Sequence, residues 1–207
     1  VGGLTLGGGI GWMVRKYGLT IDALQAAEIV LADGQILHLS KSENTDLFWA
    51  IRGGGGNFGV VTWFEFEVQP LTEVVGGTII YGVEKLAETV AGWAEKMKQA
   101  PEELTSTLLL LHGFDPKQPN SQAMVTVCYA GKDEAAAQKA IQPFRELGKV
   151  ISEDIKLQPY PNMLHDGPPK MPFQACNHSG FIKSLTPEVA EQIALSFQHS
   201  CKPVIQI

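Results

Sequence analysis

Residues 52–59, Arg-Gly-Gly-Gly-Gly-Asn-Phe-Gly, constrain the fold of this chain more than any other stretch. They join a run with helical character, residues 46–52, to a run with strand character, residues 60–68. A glycine inside a helix or strand costs about 0.5–1 kcal/mol relative to alanine, so five glycines in seven positions need a local reason. Either the backbone takes positive φ angles there, or it passes close to another segment or to a ligand.

A second glycine cluster, Gly7-Gly8-Gly9-Ile10-Gly11, follows Gly2-Gly3 near the start of the chain. Neither cluster ends in the Gly-Lys-Ser/Thr of a P-loop. Gly54, Gly56 and Gly59 match G-x-G-x-x-G, but the dinucleotide fingerprint requires a strand before the motif and a helix after it, and here that order is reversed. Two interpretations stay open: a tight structural connection, or backbone N–H groups that hold an anion or a flat ligand.

Composition excludes several classes of function. The 207 residues are 44% hydrophobic and 18% charged with a net charge of −6, which is typical of a globular protein and argues against nucleic acid as a partner. We expect no membrane span, because no apolar run approaches the required length. The cysteines (Cys128, Cys176, Cys201) lack a CxxC pattern and predict free thiols in a reducing, cytoplasmic compartment. The histidines lack metal-ligand spacing, so no metal site is predicted.

The first 70 residues predict a small mixed unit. A glycine-laden turn region over residues 1–19 holds one helical turn at residues 12–17. Residues 27–32 and 35–39 form a hairpin around Asp33-Gly34. Residues 42–46 supply caps for the helix that ends at Arg52. We place a domain boundary at about Leu71, after Pro70 closes the strand that begins at residue 60.

The remaining residues, 71–207, predict an α+β domain. The elements follow the order β-α-β-β-α-β and then β-α-β, which is typical of an antiparallel sheet with helices on one face. Leu86, Val90, Trp93 and Met97 recur at helical spacing and are predicted to face the core. We also predict a strand at Phe181-Ile182, a helix opened by Thr186-Pro187, and strand character at residues 201–207.

Four segments together resemble a known family. They are residues 3–12 (GLTLGGGIGW), residues 15–22 (RKYGLTID), Ala32-Asp33-Gly34, and residues 46–62 (DLFWAIRGGGGNFGVVT). They are similar to the FAD-linked oxidases of the berberine bridge enzyme type, in the vanillyl-alcohol oxidase group with PCMH-type FAD-binding domains. The resemblance implies that residues 1–70 are the C-terminal part of an FAD-binding domain and that residues 71–207 are a substrate-binding domain, incomplete at its C-terminus.

The resemblance also implies which residues lie against FAD. Gly2, Gly3, Gly7, Gly8 and Gly9 would follow the pyrophosphate, and Ile10 and Gly11 would continue towards the flavin ring. The adenosine end would be flanked by main chain at Ile29, Val30, Gly59, Val60 and Val61. Arg52 and Asp22 are interpreted instead as residues that hold the turns to each other. The substrate cavity would include Tyr129, Tyr160 and His178.

The implied activity is an FAD-dependent oxidation. A small alcohol, sugar or secondary metabolite would transfer a hydride to flavin N5, and O₂ would reoxidise the flavin. The family's flavin-linking His and its Tyr or Asp base would lie outside these residues, so the catalytic residues stay unassigned. We therefore expect an internal fragment that is inactive alone and binds little FAD. The alternative is a non-catalytic binding module in which the glycine turns are purely structural.

Overall fold

A computed structural model describes residues 1–112, 121–164, 178–199 and 204–207. The chain divides into two compact units, Val1–Pro70 (unit 1) and Leu71–Ile207 (unit 2). Cys176, Cys201 and the Pro-rich segment between residues 164 and 178 lie outside the described residues. The helices and strands in chain order are α1 Gly2–Leu6, α2 Val14–Tyr17, β1 Leu24–Val30, β2 Ile36–Ser40, α3 Thr45–Ile51, β3 Val60–Phe66, β4 Glu73–Tyr81, α4 Leu86–Gln99, β5 Leu104–Leu111, β6 Gln122–Tyr129, α5 Glu134–Ile141, β7 Val150–Pro159, α6 Pro187–His199 and β8 Val204–Gln206.

Unit 1 is built on a three-stranded antiparallel sheet in the order β2-β1-β3. The central strand β1 buries Leu24, Ala27 and Ile29, and these pack with Phe48 and Ile51 of α3. The predicted hairpin is confirmed, because β1 and β2 pair antiparallel around a turn in which Gly34 has a φ of +84°. The buried residues of β1, β2 and α3 together give this small sheet a hydrophobic core of its own.

One local prediction in unit 1 is wrong and another, the cap of α3 within residues 42–46, is confirmed in position only. Residues 2–6 form helix α1 rather than a turn, because two adjacent glycines do not outweigh the hydrogen bond from Thr5 N–H to the Val1 carbonyl (3.0 Å) and the burial of Thr5. The N-cap of α3 is Asn44, but its side chain makes no capping hydrogen bond. Its amide donates instead to the carbonyl of His38 at 2.7 Å, which ties α3 to the end of β2.

Unit 2 contains a five-stranded sheet in the order β7-β4-β6-β5-β8, and every neighbouring pair is antiparallel. Helices α4, α5 and α6 cover one face, and their buried side chains join those of β4, β5 and β6 in one core. We call this the helix-covered face; its strand residues include Val75, Ile79 and Val127. The predicted α+β class and antiparallel sheet are confirmed.

The helical pattern of α4 is confirmed by its burial. Leu86 and Val90 are buried, and Trp93 packs into the same core while its indole N–H donates to Ser106 Oγ at 3.0 Å. Thr186 accepts a hydrogen bond from Val189 N–H at 3.4 Å and so caps α6. The strand predicted at Phe181-Ile182 is wrong, because both residues lie in irregular, exposed chain. Two apolar residues without a pairing strand are not enough to form one.

Candidate functional site

The two glycine clusters of unit 1 meet in space. Helix α1 lies beside the 3₁₀ turn Gly55–Asn57 and also beside the 3₁₀ turn Thr20–Ala23, which leads into β1. The Cβ position of Gly2 would lie 3.5 Å from the ring of Phe64 on β3. Segments about 50 residues apart in sequence therefore form one glycine-rich surface.

Packing within the chain explains the glycine at position 9. Its φ is +81°, and a Cβ there would lie 2.5 Å from Cβ and Oγ1 of Thr20. Thr20 holds this turn by donating from its backbone N–H and its hydroxyl to the Gly9 carbonyl, at 2.9 Å and 3.1 Å. Ile21 N–H donates to the Gly8 carbonyl at 3.1 Å. Thr20 was not among the predicted site residues, although its place after a Gly-Leu pair was visible in the sequence.

The glycine at position 59 is explained in the same way. Its φ is +149°, and a Cβ there would collide with the carbonyl oxygen of Val30 and touch the side chain of Ile29. The register of β1 and β3 then pairs Val30 with Val60 and Ile29 with Val61. The structure therefore brings together all five residues that the resemblance assigned to the adenosine end.

Other glycines of unit 1 face open space. A Cβ at Gly3, Gly11 or Gly56 would meet nothing within 4 Å, and none of the three has a φ in the left-handed region. Gly8, Gly53 and Gly55 are equally open but have positive φ angles. We call these six positions the open glycine surface: Gly3, Gly8, Gly11, Gly53, Gly55 and Gly56. The chain itself does not require glycine at three of them, and a residue without a side chain there is compatible with the close approach of a ligand.

The backbone amides fit an anionic ligand on this surface. Gly7 and Gly8 donate their N–H groups to carbonyls of α1, whereas no acceptor for the N–H groups of Gly9, Ile10 and Gly11 is found among the described residues. Three successive amides of this kind are suited to phosphate oxygens. The Ile10 side chain is 72% exposed and therefore free to contact a flat apolar ring. The predicted assignment to FAD stays a prediction, with which these residues are compatible.

Arg52 and Asp22 hold the turns together, as interpreted from the sequence. Arg52 donates from Nε to the Ile21 carbonyl at 3.2 Å and from a terminal nitrogen to Asp22 Oδ1 at 3.3 Å. The other carboxylate oxygen of Asp22 accepts from Leu19 N–H at 2.8 Å. The turn before β1 is thereby attached to the C-terminal end of α3.

The three predicted substrate residues do not form one cluster. Tyr129 ends β6 on the helix-covered face, opposite Val75 and Leu104. Tyr160 follows β7 in a 3₁₀ turn, and its pKa is raised by burial and by the nearby Cys128 thiol. His178 is exposed. Their role stays a prediction. Tyr129 lies on the helix-covered face, whereas Cys128, which acts on Tyr160, points to the opposite face.

The face of the unit 2 sheet opposite the helices carries polar side chains that sequence reasoning missed. We call it the helix-free face, since α4, α5 and α6 all pack on the other face; only the short 3₁₀ turn Tyr160–Met163 is seen to lie against it among the described residues, with Met163 Sδ 2.8 Å from the Cβ position of Gly76. The register aligns Thr78, Thr126 and Thr107 across three strands, and the next row aligns Gly76, Cys128 and Thr105. Thr105 is 8% exposed, and its hydroxyl has no hydrogen-bond partner among the described residues. The sequence carried a signal for this row: successive side chains of β5 and β6 point to opposite faces, so every second residue of each strand belongs to this face.

The described residues offer neither a cluster of metal ligands nor a membrane-spanning helix. No group of three or more His, Cys, Asp or Glu side chains in the described ranges could hold a metal ion. No helix there is long and apolar enough to cross a membrane. Cys128 is a buried free thiol. The predicted cytoplasmic location stays a prediction.

Comparison with known proteins gives consistent matches. Residues 1–40 match the family described as FAD binding domain. The FAD-linked oxidoreductase pgmH of Aspergillus terreus is 34% identical over 169 residues, 77% of this chain and 34% of that protein. The glucooligosaccharide oxidase of Sarocladium strictum is 52% identical over 75 residues, 36% of this chain and 15% of that protein.

A solved structure matches the full length of the chain. It is the glucooligosaccharide oxidase of Acremonium strictum, described with a 6-S-cysteinyl, 8α-N1-histidyl FAD. Its TM-score is 0.72 at 26% identity, and the match covers 100% of this chain and 46% of that one. Relatives that match over most of this chain, such as pgmH, are more than twice as long: the match spans 34% of that protein.

Proposed function

This chain belongs to the FAD-linked oxidoreductases of the berberine bridge enzyme type, and we propose that the whole protein is an oxidase of small hydroxylated molecules, with oligosaccharides the first candidates. The observation that carries the proposal is the open glycine surface, part of which lies inside the segment matched as an FAD binding domain. Bound FAD would supply the hydride acceptor, and the protein would supply position and exclusion of water.

The residues of unit 1 would bind the cofactor through main chain. The N–H groups of Gly9, Ile10 and Gly11 would donate to pyrophosphate oxygens, and the open glycines would let the backbone come within hydrogen-bond distance. The paired ends of β1 and β3 would flank the adenosine end. Arg52 would act indirectly, by fixing the turn at Ile21 and Asp22.

The helix-free face of unit 2 would bind the substrate. Its row of hydroxyl groups, Thr78, Thr126 and Thr107, can both donate and accept hydrogen bonds, as recognition of a sugar requires. Relatives named as glucooligosaccharide and chitooligosaccharide oxidases support a carbohydrate, and a relative named (R)-6-hydroxynicotine oxidase makes an alkaloid-like metabolite the second candidate. O₂ is the proposed electron acceptor.

Exposed apolar side chains in unit 1 argue against the rival class, a non-catalytic binding module. Trp49 is 77% exposed, Val60 69% and Ile36 65%. Large exposed apolar residues in one small unit are typical of a surface that packs against further polypeptide. This supports an enzyme of the length of its relatives over a self-contained module.

Flavin binding is the first test. The full-length protein is purified, and the visible absorbance of oxidised flavin is recorded before and after denaturation in acid. A yellow protein is expected; colour that stays with the precipitated polypeptide would identify covalent attachment. A full-length protein that is colourless and takes up no added FAD would overturn the proposal.

Substrate class is the second test. Hydrogen peroxide release is measured with cello-, xylo- and chito-oligosaccharides and with a simple aromatic alcohol. We expect activity on at least one oligosaccharide and a higher KM in Thr126→Val, which removes a hydroxyl while conserving shape. Thr89→Val is the matched control, because Thr89 lies on α4 with its hydroxyl bonded to the Leu147 carbonyl at 3.2 Å. Activity on the alcohol alone, or equal KM changes in both variants, would contradict the assignment.

A further inference from the structure

A cavity of about 420 Å³ lies on the helix-covered side of unit 2. It forms where the last turn of α4, the end of β6 and the α5 segment meet, and Tyr129 is one of its lining residues. Small-molecule sites have volumes of about 300–1,000 Å³. We propose that this cavity binds a small organic anion with an apolar body, such as an aromatic monocarboxylate.

The interior of the cavity is apolar and rigid. Phe144 contributes a ring that is only 1% exposed, in a 3₁₀ turn that begins at Gln142. Pro143 precedes it, and Pro101 and Ala140 complete the apolar lining. Proline rings and a fixed phenyl ring lose little conformational entropy when they bind a flat ligand. This part of the cavity suits an aromatic ring.

The lining of the cavity carries two positive side chains and no negative one, and the nearby carboxylates of Glu103 and Asp133 lie outside the lining. Lys96 of α4 and Lys139 of α5 both line it, and no acidic side chain does. Neither lysine belongs to an ion pair among the described residues. The neighbouring Lys98 differs, because it is paired with Glu95 at 3.2 Å. Two lysine ammonium groups beside an apolar interior favour a carboxylate over a neutral ligand.

Two further polar groups can orient the anion. The Tyr129 hydroxyl is kept protonated, because burial first, and then Glu103 and Asp133, raise its pKa. It is therefore a hydrogen-bond donor at neutral pH. The Gln99 amide is held by Glu95 Oε1 at 2.9 Å, which fixes the side chain at the rim. The Glu95 carboxylate is engaged there and with Lys98, so it does not compete for the cavity.

The residues that line this cavity are not those of the proposed oxidase site. They belong to the helix-covered side of unit 2, and none belongs to the open glycine surface or to the helix-free face. The inference goes beyond the proposed function, and its test needs neither flavin nor turnover.

The test is a titration of the full-length protein with 4-fluorobenzoate, followed by the ¹⁹F line width. We expect binding that weakens as salt rises, since exposed lysine charges are screened. Lys96→Gln and Lys139→Gln should each weaken binding by about fivefold, the size expected for a partly exposed ion pair. Lys98→Gln is the matched control on α4 and should leave binding unchanged.

Four outcomes would overturn the proposal: no line broadening at all, equal binding of the neutral 4-fluorobenzyl alcohol, equal effects of all three lysine variants, or no effect of Lys96→Gln and Lys139→Gln. Each variant's thermal unfolding is recorded, so that loss of fold is not counted as loss of binding. All three lysines are on the surface of helices, where a Lys to Gln change costs little stability.

Discussion

Gly56 and Gly59 lie three residues apart in the same glycine-rich segment, yet the structure uses them differently. Gly59 has a φ of +149° and its Cβ position is filled by the Val30 carbonyl, whereas Gly56 has a φ of −83° and faces open space. Gly9 and Gly11 repeat the contrast in the first cluster. One glycine of each pair packs directly against another segment of the chain, and the other leaves open space at its Cβ position. A glycine motif can therefore contain glycines that the packing of the chain requires and glycines that leave open space. The sequence does not distinguish the two kinds, whereas the structure does.

The sharpest test of this contrast is Gly59→Ala. The new Cβ would collide with the Val30 carbonyl and require a strained φ, so the β1–β3 pairing has to shift. We expect a loss of about 3 kcal/mol or more in the free energy of unfolding. The measurement is urea denaturation followed by far-UV circular dichroism. Gly56→Ala is the control and should change stability by less than about 1 kcal/mol in either direction; equal losses in the two variants would remove the distinction.

Gly9→Ala should have a smaller effect than Gly59→Ala. Here the obstacle is the Thr20 side chain rather than a backbone carbonyl, and a side chain can move more easily. We expect about 2 kcal/mol of destabilisation, from the φ of +81° and from distortion of the two hydrogen bonds between Thr20 and Gly9.

A double-mutant cycle with Thr20→Ala separates these two causes. If the clash dominates, the double variant should be less destabilised than the sum of the single variants. Strict additivity would show that backbone strain alone accounts for the loss. Both results are read from the same denaturation curves.

Gly11→Ala should reverse the pattern, with little change in stability and a clear change in flavin binding. Its Cβ meets nothing within the chain, so unfolding should shift by less than about 0.5 kcal/mol. If a pyrophosphate approaches this backbone, one methyl group should weaken FAD binding by about tenfold, equal to about 1.4 kcal/mol. Flavin content of the full-length protein at a fixed FAD concentration measures it. If the flavin content of Gly11→Ala equalled that of the wild type, position 11 would face solvent in the protein with bound FAD.

Periodicity predicted the secondary structure of unit 2 well because its elements bury whole faces. Helix α4 and the strands of the five-stranded sheet follow patterns of 3.6 and 2 residues that core packing enforces. The prediction failed at Phe181-Ile182, where two apolar residues have no partner strand. It also failed at α1, where hydrogen bonding to the carbonyl of Val1 outweighs glycine's low helix propensity.

The candidate site was harder to predict than the fold, since its residues act through the backbone. The sequence shows where glycines are, but φ and the neighbours of each Cβ depend on tertiary contacts such as that of Gly59 with Val30. Tyr129 illustrates a second limit. It lies three residues after Thr126 of the threonine row and therefore on the opposite face, and strand register decides which face a side chain occupies.

The ion pair of Arg52 with Asp22 should have only a modest effect on stability. Its side chains are 30% and 49% exposed, so solvent weakens their attraction, and a loss of about 0.5–1 kcal/mol is expected for Asp22→Asn. Arg52→Lys should lose slightly more, because lysine cannot reach the Ile21 carbonyl and Asp22 together as the guanidinium does. High salt should reduce the difference between wild type and Asp22→Asn. If either variant instead lowered stability as much as Gly59→Ala, the pair and not the packed glycine would be what holds the turns to β1.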